Sequence, residues 1–445
     1  MIKINKGLDL PITGSPEQRV YDGPAVKTVA ILGPDYVGMK PSMTVKVGDQ
    51  VKLGQQLFTD KKIEGVKFTS PGSGKVVAIN RGERRALQSV VIELNGDAEE
   101  KFDSYKADKL SDITRDKVVS NLVNSGMWTA LRTRPYCKTP AIDSTPRSIF
   151  VTAMDTNPLA AKAELIIKME EEAFTNGLKV LTNLTEGKVY VCQKPNVVLT
   201  EVDGAEFTEF DGPHPAGLAG THIHFIDPVN EEKMVWYINY QDVIAYGKLF
   251  TSGKLPVERI VALGGPGVKQ PRLVRTRIGA SLEELTANEL NEGCQRVVSG
   301  SVLYGSNATG PMAYLGRFHQ QVSVLEEKTE RELFMSLTAG AEKYSVKRVF
   351  LSAFTGGPTA PMNTRRFGRQ GNILAIGSFE KVMPLDVLPN YLLRSIAAGD
   401  TDQAQALGCM ELAEEDLALC TYVCSGKNDY GIMLRDVLTT IEKEG

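Results

Sequence analysis

The sequence lacks the long apolar segments that a membrane-spanning protein needs. No run in its 445 residues approaches the roughly 20 consecutive apolar residues of a transmembrane helix. The first residues, Met1 to Gly7, also contain no apolar stretch of the kind found in signal peptides. We therefore expect no transmembrane segment, no signal peptide and a cytoplasmic location.

An excess of positive charge is also missing. The chain has 51 Lys and Arg against 54 Asp and Glu, which gives a formal net charge of −3. Nucleic-acid-binding domains generally carry a basic surface. We therefore expect no nucleic acid among the partners.

Cysteine is sparse, and the positions it does not occupy are informative. Bacterial-type iron–sulfur clusters are held by cysteines spaced C-x2-C-x2-C-x3-C-P. Cys420 and Cys424 match the last two positions of this pattern, whereas Leu417 and Glu414 occupy the two before them. The C-terminal region thus carries degenerate iron–sulfur positions that cannot hold a cluster. Nor do we expect any other metal site.

The N-terminal region has the pattern of a small β-barrel. Between residues 43 and 79, short alternating stretches are separated by Gly-containing turns such as Gly48-Asp49 and Gly54-Gln55. This predicts a barrel-sandwich domain of the biotinyl/lipoyl type over residues 1–100. We interpret Lys61 as a solvated residue of a turn. The alternative interpretation is that Lys61 is a carrier lysine, as in lipoyl domains.

From about residue 101 the sequence alternates between helical and strand patterns. Short apolar runs at 148–153 and 187–192 are separated by a helical pattern from Glu164 onwards. Strands separated by helices predict a parallel sheet covered on both faces. We assign residues 101–255 to a Rossmann-like domain.

A strand–turn–strand–helix pattern follows near residue 258. The strands 259–263 and 273–278 flank a Gly-rich turn, and Ser281 is placed to cap a helix. This predicts a β-grasp domain over residues 256–335. Residues 336–445 are assigned to a mixed, then helical, C-terminal domain.

Taken in order, these segments resemble one protein family over essentially the full chain. The matching segments are Lys6–Ile12, Phe68–Pro71, Thr152–Ala160, Asp211–Phe225, Ile238–Ile244 and Lys381–Asp386. They are similar to the NqrA family of the sodium-translocating NADH:quinone reductases. The resemblance implies an α/β multidomain fold, with barrel-sandwich, Rossmann-like and SLBB-type β-grasp domains and a helical C-terminal region. The C component of the Rnf electron-transport complex and the flavin-binding component of respiratory complex I are similar more distantly.

The distant relatives bind flavin mononucleotide through a glycine-rich loop, and the corresponding stretch here is degenerate. It spans residues 125–138 and keeps one glycine, Gly126. Trp128 and Arg132 occupy places where close backbone approach to a flavin requires glycine. We therefore expect this chain to bind no cofactor.

The resemblance implies a role in a respiratory sodium pump. It predicts a peripheral subunit on the cytoplasmic face of the bacterial inner membrane, next to the membrane component NqrB in a six-subunit assembly, NqrA to NqrF. Ubiquinone is the implied substrate of the complex, with NADH, FAD, FMN and iron–sulfur groups on other subunits. The isolated chain is then one part of a translocase and has no complete catalytic centre. The alternatives are a purely structural adaptor that binds no small molecule and a flavin/iron–sulfur component of an NADH dehydrogenase.

A quinone-binding site is predicted where the flavin loop has degenerated. Trp128 offers a flat apolar wall and Tyr136 a hydroxyl donor, while Arg132 or Arg134 can stabilise negative charge on the reduced ring. These four residues are the first candidate site, and none is assigned a catalytic role.

Two further places are candidates for the same role. The loop from Gly33 to Met39 contains Tyr36 and Met39, which add an aromatic and an apolar side chain. His222 and His224 are predicted to share one face of a strand, from which they can donate to a quinone carbonyl.

Overall fold

The structure is a computed structural model, and it describes residues 1–328, 339–341, 343–347, 349–355, 359–366 and 368–444. The predicted boundary between residues 335 and 336 lies outside these ranges. The strands are β1 (Ile2–Lys3), β2 (Glu17–Asp22), β3 (Thr28–Leu32), β4 (Pro41–Met43), β5 (Gln50–Val51), β6 (Gln56–Asp60), β7 (Lys67–Thr69), β8 (Gly74–Arg81), β9 (Leu87–Leu94), β10 (Arg132–Arg134), β11 (Ile149–Thr152), β12 (Val189–Gln193), β13 (Ala205–Asp211), β14 (Val235–Asn239), β15 (Glu258–Gly264), β16 (Arg272–Arg277), β17 (Gln295–Ser299), β18 (Ser306–Asn307) and β19 (Gln321–Glu326).

The α-helices are interleaved with these strands and dominate the C-terminal part. They are α1 (Arg115–Ser125), α2 (Ala163–Met169), α3 (Glu171–Thr182), α4 (Ala219–Ile226), α5 (Tyr240–Ser252), α6 (Leu282–Thr286), α7 (Ser352–Thr355), α8 (Ser378–Val382), α9 (Pro389–Ala398), α10 (Thr401–Ala406), α11 (Ala418–Val423) and α12 (Tyr430–Glu444). No helix in these described ranges is long and apolar enough to cross a membrane.

The N-terminal barrel consists of two small antiparallel sheets, β3-β9-β8-β5 and β4-β6-β7. Phe58 and Phe68 stack in its core with ring centroids 4.6 Å apart. The backbone at Gly74 passes so close to the Glu93 carbonyl that a Cβ there would collide with it. Glycine is therefore required where β8 leaves its turn.

The Rossmann-like domain is built on a six-stranded sheet in the order β1-β13-β12-β11-β14-β10. All neighbouring strands are parallel except the edge pair β10 and β14. Helices α3 and α5 pack on one face and α4 on the other. The predicted parallel sheet with covered faces is confirmed, although its edge strand β1 comes from the chain's N-terminus.

The β-grasp region forms a second six-stranded sheet in the order β18-β17-β19-β15-β16-β2. The predicted strand–turn–strand is present as β15 and β16, and the Ser281 hydroxyl accepts from the Glu284 N–H at the start of α6. Strand β2 joins this sheet beside β16. Residues 2–22 therefore supply strands to both six-stranded sheets.

The C-terminal helices enclose a core of their own. Its centre is apolar and includes Leu392, Leu434 and Leu438, together with Cys409, Cys420 and Cys424. The predicted helical C-terminal region is confirmed, with α9, α10 and α12 among its helices. Gly399 ends α9 in the left-handed conformation that glycine favours.

Candidate functional site

The candidate site lies at the carboxyl edge of the parallel sheet, where strand order reverses. The chain runs from β11 to β12 and on to β13 on one side, and then crosses back to place β14 on the other side of β11. Ligands of open α/β sheets bind in the crevice at such a switch point. A cavity of about 330 Å³ lies here, within the usual size range of small-molecule sites. We call it the switch-point cavity.

Each part of the chain contributes to its wall. The barrel supplies Pro34, Asp35 and Val37, the Rossmann-like domain Arg132, Thr152, Met154, Asp155, Tyr237 and Asn239, the β-grasp region Tyr304, Phe318 and His319, and the C-terminal region Ala413, Glu414 and Glu415. The cavity therefore depends on how the domains pack together.

Arg132 is sandwiched between two aromatic rings in this wall. Its guanidinium carbon lies 4.5 Å from the centre of the Tyr237 ring and 4.3 Å from that of Phe318. Burial lowers the pKa of Arg132, but interactions with Tyr237 and Glu415 outweigh burial and leave the pKa above its ordinary value. The guanidinium is therefore a fixed positive charge at the cavity.

His319 contributes a neutral imidazole. Its Nδ1 lies 2.8 Å from the Ser299 hydroxyl, and this hydroxyl accepts from the Gly316 N–H at 2.9 Å. Burial and the charge of Arg132 lower the pKa of His319 to about 4. The ring is thus uncharged at neutral pH.

Acidic residues also line the cavity. Burial raises the pKa of Asp35 to about 6, against the opposing bond and charge of Arg317. Burial likewise raises the pKa of Asp155 and of Glu415, the latter despite Arg132 and Arg134. Carboxyl groups held in this way take up protons more readily than free ones.

The other residues of the predicted flavin-loop site lie outside the switch-point cavity. Trp128 is fully buried, its indole N–H donates to the Pro140 carbonyl at 2.9 Å, and its ring meets Trp236 edge-on at 5.3 Å. Tyr136 is half-buried against the C-terminal core. Of the four predicted residues, the structure brings Arg132 alone to the cavity wall.

Arg134 joins the Rossmann-like domain to the C-terminal region. It is fully buried, and its Nη1 donates to Asp416 and to the Glu411 carbonyl, both at 2.8 Å. Its Nη2 donates to Glu415 at 3.2 Å. These bonds commit both terminal nitrogens of the guanidinium to protein groups.

The loop predicted as the second candidate is divided between two cavities. Tyr36 lines a separate cavity of about 50 Å³ and packs edge-on against Phe68 at 4.7 Å. Met39 packs against the main hydrophobic core. Their loop neighbours Pro34, Asp35 and Val37 reach the switch-point cavity.

The predicted strand carrying His222 and His224 is wrong, because these residues lie on α4. The Pro-Ala-Gly-Leu-Ala-Gly stretch at 215–220 indicated a turn-rich loop in the sequence, whereas α4 already begins within it, at Ala219. The His222 Nε2–H donates to the Ala216 carbonyl at 2.9 Å, and burial lowers the pKa of His222 to about 3. Both histidines lie away from the cavity wall.

His224 makes contacts between domains. Its Nε2 accepts from the Asp386 N–H at 3.0 Å, so its Nδ1–H donates to Glu411 at 2.7 Å. Across the described ranges, no group of three His, Cys, Asp or Glu side chains is arranged to hold a metal.

The degenerate iron–sulfur positions are integrated into the C-terminal core. Cys420 and Leu417 are buried among apolar side chains, and the Cys424 thiol contacts the Tyr430 hydroxyl at 3.2 Å. Glu414 accepts two bonds from Arg435, at 2.6 and 2.8 Å. These residues serve packing and ion pairing.

Tyr237 and His319 are among the cavity-wall residues that sequence reasoning missed. Tyr237 lies in an apolar strand whose pattern predicts only a place in the hydrophobic core. Its hydroxyl is buried with no partner among the described residues. His319 lies far from the other three histidines in the sequence. Only the folded arrangement shows that both line the same cavity.

Comparison with known proteins identifies the family of the chain. Family models match residues 2–95 as the NqrA N-terminal barrel-sandwich hybrid domain, 113–255 as the NqrA second alpha/beta domain and 260–310 as the NQRA C-terminal domain. These matches confirm the predicted fold class.

Curated relatives match over their whole length. The chain is 58% identical to the A component of the Na(+)-translocating NADH-quinone reductase of Marinomonas sp. (strain MWYL1) and 59% identical to that of Saccharophagus degradans, covering 100% of each chain. A solved NAD+-reducing [NiFe]-hydrogenase in the air-oxidized state overlaps 52% of each chain, with 13% identity and a TM-score of 0.36. With such identity to the curated relatives over its full length, the chain belongs to the NqrA family of the Na(+)-translocating NADH-quinone reductases and is a component of a translocase complex.

Proposed function

We propose that the chain is a peripheral subunit on the cytoplasmic face of the bacterial inner membrane, where it contributes to ubiquinone binding and to assembly of the complex. Its neighbours are the membrane component NqrB and the remaining members of a six-subunit assembly. NADH is oxidised elsewhere in the complex, and FAD, FMN and iron–sulfur groups also reside on other subunits. The relatives' shared name, which includes NADH-quinone reductase, supports a quinone as the substrate.

The switch-point cavity is the observation that carries the quinone role. Its volume of about 330 Å³ suits a substituted quinone ring, and its wall combines an aromatic-stacked guanidinium with apolar side chains such as Met154 and Phe318. A ring with two carbonyl oxygens needs flat apolar surface and hydrogen-bond donors in this combination. Arg132 is the predicted site residue that we retain, whereas Trp128, Arg134 and Tyr136 take structural roles.

A photoreactive ubiquinone analogue tests this proposal in the assembled complex. After illumination, adducts are mapped by mass spectrometry, with excess unlabelled ubiquinone as the competition control. We expect adducts on this chain in the segments that line the cavity, 34–37, 152–157 and 300–321. Competable labelling confined to other subunits would contradict the quinone role.

A structural adaptor is the second candidate function, and the buried inter-domain bonds favour it. Arg134, His224 and Arg435 each tie the Rossmann-like domain and the C-terminal region together. A chain that only supports its partners would need domains held rigidly together by such bonds, and it would bind no ligand. Equilibrium binding of decylubiquinone to the full chain separates the two functions, because an adaptor has no saturable site.

A further inference from the structure

The wall of the switch-point cavity holds hydrogen-bond donors and carboxyl groups in an arrangement that favours one class of ligand. We propose that Arg132, Tyr237 and His319 are the hydrogen-bond donors that recognise the carbonyl oxygens of an uncharged ring, and that the surrounding carboxyl groups exclude phosphate-bearing ligands. This inference rests on the proposed quinone role of the cavity.

The Tyr237 hydroxyl is the clearest sign of a missing acceptor. The residue is 2% exposed, it lines the cavity, and its hydroxyl has no partner among the described residues. Buried hydroxyl groups are almost always hydrogen-bonded, because leaving one unpaired in a protein interior is unfavourable. Two guanidinium groups, those of Arg132 and Arg134, lie 4.5 and 5.1 Å from the ring centre. A ligand oxygen next to this hydroxyl would complete its bonding in a positively charged setting.

The bonding of His319 favours a proton on its Nε2, because the buried Ser299 hydroxyl has Nδ1 as the acceptor for its own proton. The Ser299 hydroxyl accepts from the Gly316 N–H and has one proton of its own to donate. Its one acceptor among the described residues is Nδ1 of His319, at 2.8 Å. A neutral ring whose Nδ1 accepts must carry its proton on Nε2. That Nε2–H has no protein acceptor among the described residues and is available to a ligand.

Arg132 supplies the third donor. It makes no salt bridge in the part of the chain that the structure describes, and its guanidinium packs against the faces of Tyr237 and Phe318. Aromatic stacking leaves the in-plane N–H groups free to donate. The three residues thus offer donors of different charge at one cavity wall, and the buried Tyr237 hydroxyl is the one that lacks a partner.

The carboxyl groups around these donors disfavour an anion. Asp35, Asp155 and Glu415 line the cavity, and Asp416 lies against the first turn of α4. The Asp416 carboxylate is so close to Gly220 that any side chain there would collide with it. The start of a helix at a switch point is where nucleotide phosphates usually bind. Here the Asp416 carboxylate, which Arg134 holds in place, already lies at that position, so a phosphate could not occupy it.

The test measures equilibrium dissociation constants of the full chain for decylubiquinone and for FMN. Variants Tyr237→Phe and His319→Ala each remove one donor, and His319→Gln restores an N–H at a similar reach. Tyr391→Phe, on the exposed face of α9, is the matched control. Circular dichroism and thermal unfolding of every variant establish that the fold is retained.

We expect Tyr237→Phe and His319→Ala to raise the Kd for decylubiquinone about 3- to 10-fold, the usual value of one neutral hydrogen bond. His319→Gln should recover most of the affinity, Tyr391→Phe should match the unmodified chain, and FMN should not bind. Unchanged quinone affinity in folded Tyr237→Phe and His319→Ala would overturn the donor assignment while leaving the quinone role intact. If FMN bound as tightly as the quinone, the proposed exclusion of phosphate-bearing ligands would be overturned. If the unmodified chain bound no quinone, either alone or in the assembled complex, both the inference and the proposed function would be overturned.

Discussion

At the scale of single residues, burial decides which polar groups can meet a ligand. Arg132 and Arg134 lie on the same short strand β10, yet Arg132 lines a cavity and Arg134 is fully enclosed by carboxylate and carbonyl groups. The sequence predicts both as ligand contacts because their chemistry is the same. The burial and pairing of Arg134 depend on the C-terminal region. Its partner Asp416 lies 282 positions away in the sequence, so local sequence patterns cannot predict the pair.

Replacing Arg134 should be strongly destabilising. Arg134→Ala removes the charged donor to Asp416, Glu415 and the Glu411 carbonyl, and breaking such a buried pair typically costs about 3–5 kcal/mol. The free energy of unfolding, measured by denaturant titration, checks this. Arg394→Ala is the control, because Arg394 is exposed on α9 and makes one long bond of 3.4 Å. Equal stability of the two variants would contradict the assigned role of Arg134.

The buried His222 should make stability depend on pH. Its pKa is about 3 in the folded chain against 6.5 for an unperturbed histidine, so below pH 6.5 the unfolded state binds a proton that the folded state does not. Stability therefore falls as pH drops from 6.5 towards 3. Between pH 7 and 5 this residue alone contributes a loss of about 2 kcal/mol.

His222→Gln isolates this contribution. Glutamine can keep an N–H donor towards the Ala216 carbonyl but has no titrating group. Unfolding free energies measured from pH 7 to 5 should therefore fall less steeply in His222→Gln than in the unmodified chain. Parallel curves would contradict the prediction. Other titrating groups, including Asp35 with its opposite shift, cancel in the comparison.

At the scale of secondary-structure elements, patterning predicts regular elements well and irregular ones poorly. The apolar runs of β11 and β12 and the Ser281 cap of α6 are confirmed. The strand predicted around His222 is a helix of 8 residues, too short for helical periodicity to register. Likewise, β1 has 2 residues and joins its sheet through the pairing of Ile2 with Phe210, which no local signal can indicate.

The barrel should be sensitive to substitution at the start of β8. In Gly74→Val a β-branched side chain would collide with the Glu93 carbonyl on the paired strand β9, with strain on the order of 1–3 kcal/mol. Thermal unfolding measures the loss. Lys61→Ala is the control, because Lys61 is exposed in the turn between β6 and β7 and should leave stability, and electron transfer in the assembled complex, unchanged. Loss of electron transfer in folded Lys61→Ala would revive the carrier-lysine interpretation.

At the scale of the whole molecule, the domains are joined by buried charges as well as by apolar packing. Asp242 at the start of α5 pairs with Arg259 and Arg317 of the β-grasp region, and these pairs outweigh burial to hold the pKa of Asp242 below its usual range. The Arg317 backbone N–H in turn donates to Asp35 of the barrel at 2.7 Å. The domain composition follows from sequence patterns, whereas the cavity arises from this packing and has no signature in any one segment.

The purified full chain should be colourless. Glu414 is paired with Arg435 and Leu417 is buried, so two of the four cluster ligand positions hold residues committed to other contacts. The flavin-loop segment forms the tightly packed region of Trp128 and β10 instead of an open glycine-rich loop. Visible absorption and EPR spectra after gentle purification check this. Stoichiometric flavin absorbance or a reducible iron–sulfur signal would contradict it.

Binding of a quinone ring in the switch-point cavity is tested most directly by a structure of the assembled complex with a ubiquinone analogue bound. We expect the ring between Arg132, Tyr237 and His319, with its carbonyl oxygens at hydrogen-bonding distance from the Tyr237 hydroxyl and the His319 Nε2. An analogue found at full occupancy on another subunit, with the switch-point cavity free of it, would contradict quinone binding by this chain.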